Sequence, residues 1–181
     1  MRPAAFLDRD GVINIDHGYL HRWEDFEFVP GAVDALRRLQ TAGYALVIVT
    51  NQSGIARGYY DEAALLALHD ALRQHLAAQG ITLAAIEHCP HLPDGTVARY
   101  AINCDCRKPA PGMILRSAQA LGIDLAASLM VGDKASDIKA AERAGVGRAV
   151  LVATDAKPAA AKGANPEFIS LADAVDALLH D

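Results

Sequence analysis

Two carboxylates stand one residue apart in the run Phe6-Leu7-Asp8-Arg9-Asp10-Gly11-Val12. Acids held that close repel each other, and a divalent cation with oxygen ligands is the usual way of offsetting the cost. The residues before them, 3–7, form a short apolar run with no room for a helix before Gly11, which reads as a buried strand ending at Asp8. Ligands of open α/β sheets sit at the carboxyl ends of the strands, so Asp8 and Asp10 stand where a ligand would be met.

Other polar residues fall at comparable places. Thr50 and Asn51 follow the β-branched run Val47-Ile48-Val49, Asp133 follows Leu129-Met130-Val131, and Arg107-Lys108-Pro109 precedes an apolar helix. Each is weak alone, because Lys108 could be an ordinary exposed lysine and Thr50 could simply finish a strand. In a parallel sheet, however, all of them belong to one edge and can converge. A second constellation is Cys89-Pro90-His91 with Cys104-Asp105-Cys106. Three thiolates and one imidazole complete a tetrahedral shell for Zn²⁺, and with four protein ligands the metal would be structural. The spacing is not that of a standard finger. His88 and His21 are competing ligands, although His88, as the last strand residue, should point away from its neighbour Cys89. His69 and His75 read as helix-face residues.

The elements that must position these groups alternate along the chain. A polar loop runs over 9–29; Pro30-Gly31 opens a helix carrying Val33, Leu36 and Leu39 and stopped by Gly43. A strand over 44–49 follows, then a helix capped by Asp61 with Leu65, Leu68, Leu72 and Leu76 on one face, closed by Gly80. A strand over 85–88, the cysteine loop over 89–106, and a helix from Pro111 to Gly122 come next. A strand over 129–131, a helix to about 144, a strand over 149–152 and a last helix from Ser170 complete the chain, with Ser170 and Asp173 at capping-box spacing. Residues 153–165, rich in Ala and Lys, read as a loose surface connection. Such alternation means right-handed crossovers and a parallel sheet covered on both faces.

The 181 residues suit one domain spanning 1–181 with a real core. A net charge of −5 offers no general attraction to nucleic acid or to an anionic membrane, so an anionic substrate needs a local cluster of cations. No apolar run approaches the roughly 20 residues of a membrane span, and no signal peptide is legible. Three cysteines argue against a disulfide framework, and the cytoplasm is the expected compartment.

Taken together, Asp8-Arg9-Asp10-Gly11-Val12, Thr50-Asn51, Lys108-Pro109 and Gly132-Asp133-Lys134 with Asp137 resemble, in order, the four motifs of the haloacid dehalogenase superfamily of phosphohydrolases. The resemblance implies a Rossmann-like three-layer sandwich. It makes Asp8 the nucleophile that forms an aspartyl phosphate and Asp10 the proton donor and acceptor. It gives Mg²⁺ the side chains of Asp8 and Asp133 and the backbone carbonyl of Asp10. Thr50 and Lys108 would meet the phosphoryl oxygens, and Asp137 would orient either Lys108 or a metal-bound water.

Members of this family usually choose substrates with an inserted cap. Here 39 residues separate Asp10 from Thr50 and 57 separate Thr50 from Lys108, all needed by other elements, so a capless, open site is expected. Members with a zinc loop act on a sugar bisphosphate or on histidinol phosphate. The run Asp16-His17-Gly18-Tyr19 and the sequence Cys104-Asp105-Cys106-Arg107-Lys108-Pro109 favour the sugar bisphosphate. Its binding residues would be Asp16, His17, Gly18, Tyr19, Thr50, Asn51, Gln52, Ser53, Arg57, Arg107, Lys108 and Lys134. Arg107, with Arg57 and Lys134, would otherwise lack an anionic partner, and a guanidinium grips a phosphate through two parallel hydrogen bonds. A monomer is expected. A receiver domain, the rival Mg²⁺-dependent fold, would place its acid after the third strand, where this chain has His88-Cys89. A non-catalytic zinc-stabilised binding protein would not need Asp8, Asp10, Lys108 and Asp133 together.

Overall fold

The computed structural model describes residues 1–156 and 166–180. Strands and helices alternate as β1 (Ala4–Leu7), α1 (Ala32–Thr41), β2 (Ala45–Asn51), α2 (Glu62–Ala77), β3 (Leu83–Cys89), α3 (Gly112–Leu121), β4 (Leu129–Gly132), α4 (Ala135–Ala144), β5 (Arg148–Leu151) and α5 (Leu171–His180). The strands form one five-stranded sheet in the order β3-β2-β1-β4-β5, and every pair is parallel. β1 is central because all four of its residues are buried, with Ala5 and Leu7 facing one layer and Ala4 and Phe6 the other. The first layer holds α1, α2 and α5 against Leu7, Leu46, Ile48 and Val131; the second holds α3 and α4 against Phe6, Val47, Val49 and Met130. Leu36, Leu39, Leu72 and Leu76 have no exposed surface, and each such side chain contributes about 2 kcal/mol of hydrophobic stabilisation.

Local signals set the helix ends. The Asp61 carboxylate accepts from the Ala64 amide at 2.8 Å, and Ser170 Oγ accepts from the Asp173 amide at 3.2 Å. Pro111 precedes α3, and Gly122 ends it in the left-handed region. β3 is longer than expected, because its pairing with β2 continues to Asn51↔Cys89. The 9–29 loop is not merely polar. Trp23, Phe26 and Phe28 form a ring cluster that also takes in His75 of α2, so the loop is a packed lobe against that helix. Most of the connection expected over 153–165 lies outside the described residues. Among those described, the long segments 8–31 and 90–111 carry no strand of the sheet, and no cap covers the strand ends. No helix among them is long and apolar enough to cross a membrane.

Candidate active site

β1, β2 and β4 lie side by side and end at one edge, with Leu7 opposite both Ile48 and Val131. The edge therefore presents Asp8, Thr50-Asn51 and Asp133 together. Lys108 enters from the loop before α3. Its ammonium is buried and meets Asp8 Oδ1 at 2.9 Å, Asp137 Oδ1 at 2.6 Å and the Val49 carbonyl at 2.7 Å. Burial alone would lower its pKa, but Asp8 and Asp137 more than offset that and keep it cationic. Asp137 Oδ2 accepts the backbone amides of Asp133 and Lys134 at 3.1 and 3.0 Å, so this acid both aims Lys108 and closes the first turn of α4.

Glycine is required twice here. A Cβ on Gly11, whose φ is +88°, would lie 2.3 Å from Asp133 Oδ2, and one on Gly132 would lie 2.2 Å from the Asp137 Cβ. The close approach of Gly11 is what lets the β1 loop lie against the end of β4.

Asp8, Asp133 and Asp137 form a cluster whose ligand atoms all lie within 4.8 Å of one another. Burial, reinforced by the charge of Asp8, pushes Asp133 up to about 8. One of its oxygens accepts from Thr154 Oγ1 at 2.9 Å, and the other is buried without a partner among the described residues. An acid cluster with an unpartnered buried oxygen suits a hard divalent cation.

The Asp10 side chain takes no part in that cluster. Its carboxylate is held by protein donors: Arg9 Nη2 donates to its two oxygens at 2.9 and 3.1 Å, Asn14 Nδ2 at 2.9 Å and Gln52 Nε2 at 3.0 Å. Burial would raise its pKa, yet the Arg9 charge and these hydrogen bonds hold it below the usual carboxylate value.

An open cleft of about 640 Å³ leads to this edge. Asp10, Asp16, Gly18, Tyr19, Asn51, Gln52, Ser53, Arg107, Lys108 and Lys134 all line it, as do Pro109 of the Lys108-Pro109 motif and Tyr60 and Ser136, which the sequence did not single out. Asp8 lies just beyond, in the adjoining recess it shares with Lys108 and Asp137. Three expected binding residues, His17, Arg57 and Thr50, are not among those that line it. His17 pairs with Glu27 at 3.2 Å on the exposed surface, and the Arg57 guanidinium stacks 5.8 Å from the centre of the Tyr19 ring, outside the cleft lining. Thr50 is buried beneath the floor with its hydroxyl accepting from Gln52. The Asn51 amide is engaged by Lys108, accepting from its backbone N–H at 3.0 Å and donating to its carbonyl at 3.2 Å. Among the described residues, Arg107 Nη1 reaches only a backbone carbonyl, that of His91, at 3.4 Å.

Cys89, His91, Cys104 and Cys106 converge, with ligand atoms all within 4.8 Å of one another. Cys89 lies 3.0 Å from Cys106 and 3.6 Å from Cys104, sulfur to sulfur, and His91 Nδ1 lies 3.3 Å from the Cys106 sulfur. Burial pushes the Cys89 thiol far up, so a cation is needed to hold it as thiolate. His88 points away and pairs with Glu62 at 2.9 Å, which removes it as a ligand. The same loop supports the cleft: Cys104 Sγ accepts the Arg107 amide at 3.3 Å, and Thr96 and Val97 bond the backbone of Arg57 and Ala56.

The HAD-hydrolase-like family profile matches residues 105–177. The chain is 52% identical over 161 residues to the D-glycero-β-D-manno-heptose-1,7-bisphosphate 7-phosphatase of Yersinia pestis, covering 89% of this chain and 85% of that protein. It is 50% identical over 178 residues to the same-named protein of Escherichia coli K12, covering 97% and 93%. The crystal structure of the D,D-heptose 1,7-bisphosphate phosphatase of B. bronchiseptica, complexed with magnesium and phosphate, superposes with a TM-score of 0.83 at 38% identity, over 98% of each chain. With the four motifs converging on one sheet edge and relatives this similar along nearly its whole length, the chain belongs to the haloacid dehalogenase-like hydrolases, in the family of the D-glycero-D-manno-heptose-1,7-bisphosphate 7-phosphatases.

Proposed function

We propose that the protein is a Mg²⁺-dependent phosphatase that removes the C7 phosphate of D-glycero-D-manno-heptose 1,7-bisphosphate, a step toward nucleotide-activated heptose. The observation that carries this reading is Asp8 held between the Lys108 ammonium and an acid cluster with one unpartnered oxygen, in a chain half-identical to phosphatases of that name. Asp8 Oδ attacks phosphorus, the bond to the sugar oxygen breaks, and Asp10 gives that oxygen a proton. Asp10 then takes a proton from the water that attacks the aspartyl phosphate, and the Asp8 carboxylate and inorganic phosphate are released. In the free protein Arg9 keeps Asp10 ionised, so the proton of the first step has to be acquired when substrate binds. Lys108, set by Asp137, faces the phosphoryl charge. Asp8, Asp133 and the backbone carbonyl of Asp10 would hold Mg²⁺, which supplies charge neutralisation for carboxylate and phosphate when bound.

Arg107 and Lys134 in the same cleft suit a second phosphate, whereas the far end of histidinol phosphate is cationic. Cys89, His91, Cys104 and Cys106 would hold one structural Zn²⁺. The chain would act as a single-domain monomer in the cytoplasm. Phosphate release from the heptose bisphosphate and from histidinol phosphate, with and without Mg²⁺, tests the reading. Higher efficiency on histidinol phosphate would overturn the substrate assignment, and unchanged turnover without Mg²⁺ would overturn the metal's role.

A further inference from the structure

Arg9 is a fully buried guanidinium beside the reacting groups, and it cannot touch the substrate's phosphate without leaving its present place. Its Nη2 bonds both oxygens of Asp10 and the Leu20 carbonyl at 3.1 Å; its Nη1 lies 3.0 Å from Nε2 of His69; its Nε has no partner among the described residues. A guanidinium only donates. His69 Nε2 is therefore the acceptor, and its ring proton sits on Nδ1. Burial, reinforced by the Arg9 charge, lowers His69 to about 3, which keeps it a neutral acceptor. His69 projects from α2 between the buried Leu65, Leu68 and Leu72, so it is fixed by the hydrophobic layer rather than by a loop. Asp10 is the one carboxylate paired with Arg9 among the described residues; the other two contacts, Leu20 O and His69 Nε2, are neutral and set its orientation.

We propose that His69 is a positioning residue for proton transfer: through Arg9 it fixes the carboxylate of Asp10 relative to the leaving oxygen. This rests on the role given above to Asp10. Without the acceptor, both Nη1 and Nε of a buried guanidinium lack partners, and Arg9 turns to find others, carrying Asp10 with it.

Protonation matters in proportion to the basicity of the leaving oxygen. A sugar alkoxide is a much stronger base than 4-nitrophenolate, so a misplaced Asp10 slows a sugar phosphate and spares p-nitrophenyl phosphate. The ratio kcat/KM reports steps through formation of the aspartyl phosphate, which removes the shared hydrolysis step from the comparison. Gln places a polar atom where the His Nε2 stands, and Asn places its own nearer the helix, where the Nδ1 stands. His69→Asn should therefore lower kcat/KM on the heptose bisphosphate at least tenfold, within the usual reach of general acid catalysis. It should lower that on p-nitrophenyl phosphate less than threefold, and His69→Gln should stay within threefold of the parent on both. Equal losses on the two substrates, a His69→Gln loss as deep as that of His69→Asn, or no loss in His69→Asn would overturn the proposal. Should His69→Asn fail to fold by circular dichroism, His69→Leu, which keeps apolar volume and lacks the acceptor, takes its place under the same criteria. If the parent enzyme ignores the heptose bisphosphate but cleaves another alkyl phosphate, the substrate reading fails while the positioning test runs on that ester.

Discussion

Asp8 accepts directly from the Lys108 ammonium and lies in a cluster with two further acids, so its charge is both needed and costly. Asp8→Asn removes the nucleophile and relieves repulsion with Asp133. Turnover should fall by about 10³-fold or more in a phosphate-release assay, while the melting temperature holds or rises. Near-normal turnover would exclude a covalent intermediate on this residue. Arg107 lines the cleft and among the described residues its guanidinium meets only the His91 carbonyl, which leaves it available to an anion. Arg107→Ala should cut kcat/KM on the bisphosphate by roughly 10- to 100-fold, the equivalent of a charge-assisted hydrogen bond of about 1.5–3 kcal/mol. Use of p-nitrophenyl phosphate should change little; equal losses would assign Arg107 to the phosphate being cleaved.

The cysteine loop joins two parts of the cleft, because Cys104 holds the Arg107 amide and the loop's tip holds the backbone of residues 56 and 57. Mild EDTA should stop catalysis reversibly by removing Mg²⁺ while about one zinc per chain stays bound, since structural zinc binds with ~10–16 kcal/mol in small peptides. Metal analysis before and after chelation checks this, and a zinc-free protein of full activity would contradict it. Cys104→Ser should lower the melting temperature by at least about 4 °C, the shift that roughly 2 kcal/mol gives in a domain of this size, and activity should fall with it. At the start of α2, Asp61→Ala should cost about 1 kcal/mol by removing the acceptor for the Ala64 amide, a loss that denaturant unfolding would read without any change in KM.

β1 is the switch point of the whole sheet, with β2 on one side and β4 on the other, and the catalytic edge opens there. Behind that edge the molecule buries a neutral histidine. His69 sits near 3 in the folded protein against about 6.5 unfolded, because burial, Arg9 and His88 oppose its charge by more than Asp10 favours it, and Arg73 adds to the opposition. Below pH 6.5 the unfolded chain binds a proton that the folded chain refuses, so stability falls as pH drops from 6.5 toward 3. Between pH 7 and pH 5 this one group should cost about 2 kcal/mol. Denaturant unfolding of the parent and of His69→Gln at both pH values measures it: the variant should lose less on acidification, and equal slopes would refute the assignment.

What the sequence determined by itself was local or additive. Apolar runs separated by Gly, Pro and capping acids dictated the alternation of strands and helices, and parallel pairing then had to bring Asp8, Thr50-Asn51 and Asp133 to one edge, because side-chain chemistry at strand ends follows from topology alone. The four ligands of the cysteine cluster were legible for the same reason, being confined to one short loop. Tertiary structure alone decided how these groups divide the work. Asn51 and Thr50, adjacent to the site in sequence, proved to be bonded to Lys108 and Gln52, since a buried amide or hydroxyl must find a partner and the nearest ones are protein groups. His17 and Arg57 turned to surface partners, because nothing in a loop's sequence specifies which way an exposed side chain faces. His69, indistinguishable in sequence from any helix-face histidine, became the support of Arg9 only when α2 folded over the end of β1, 60 residues away along the chain; contacts at that separation are set by packing of the whole core, not by local pattern.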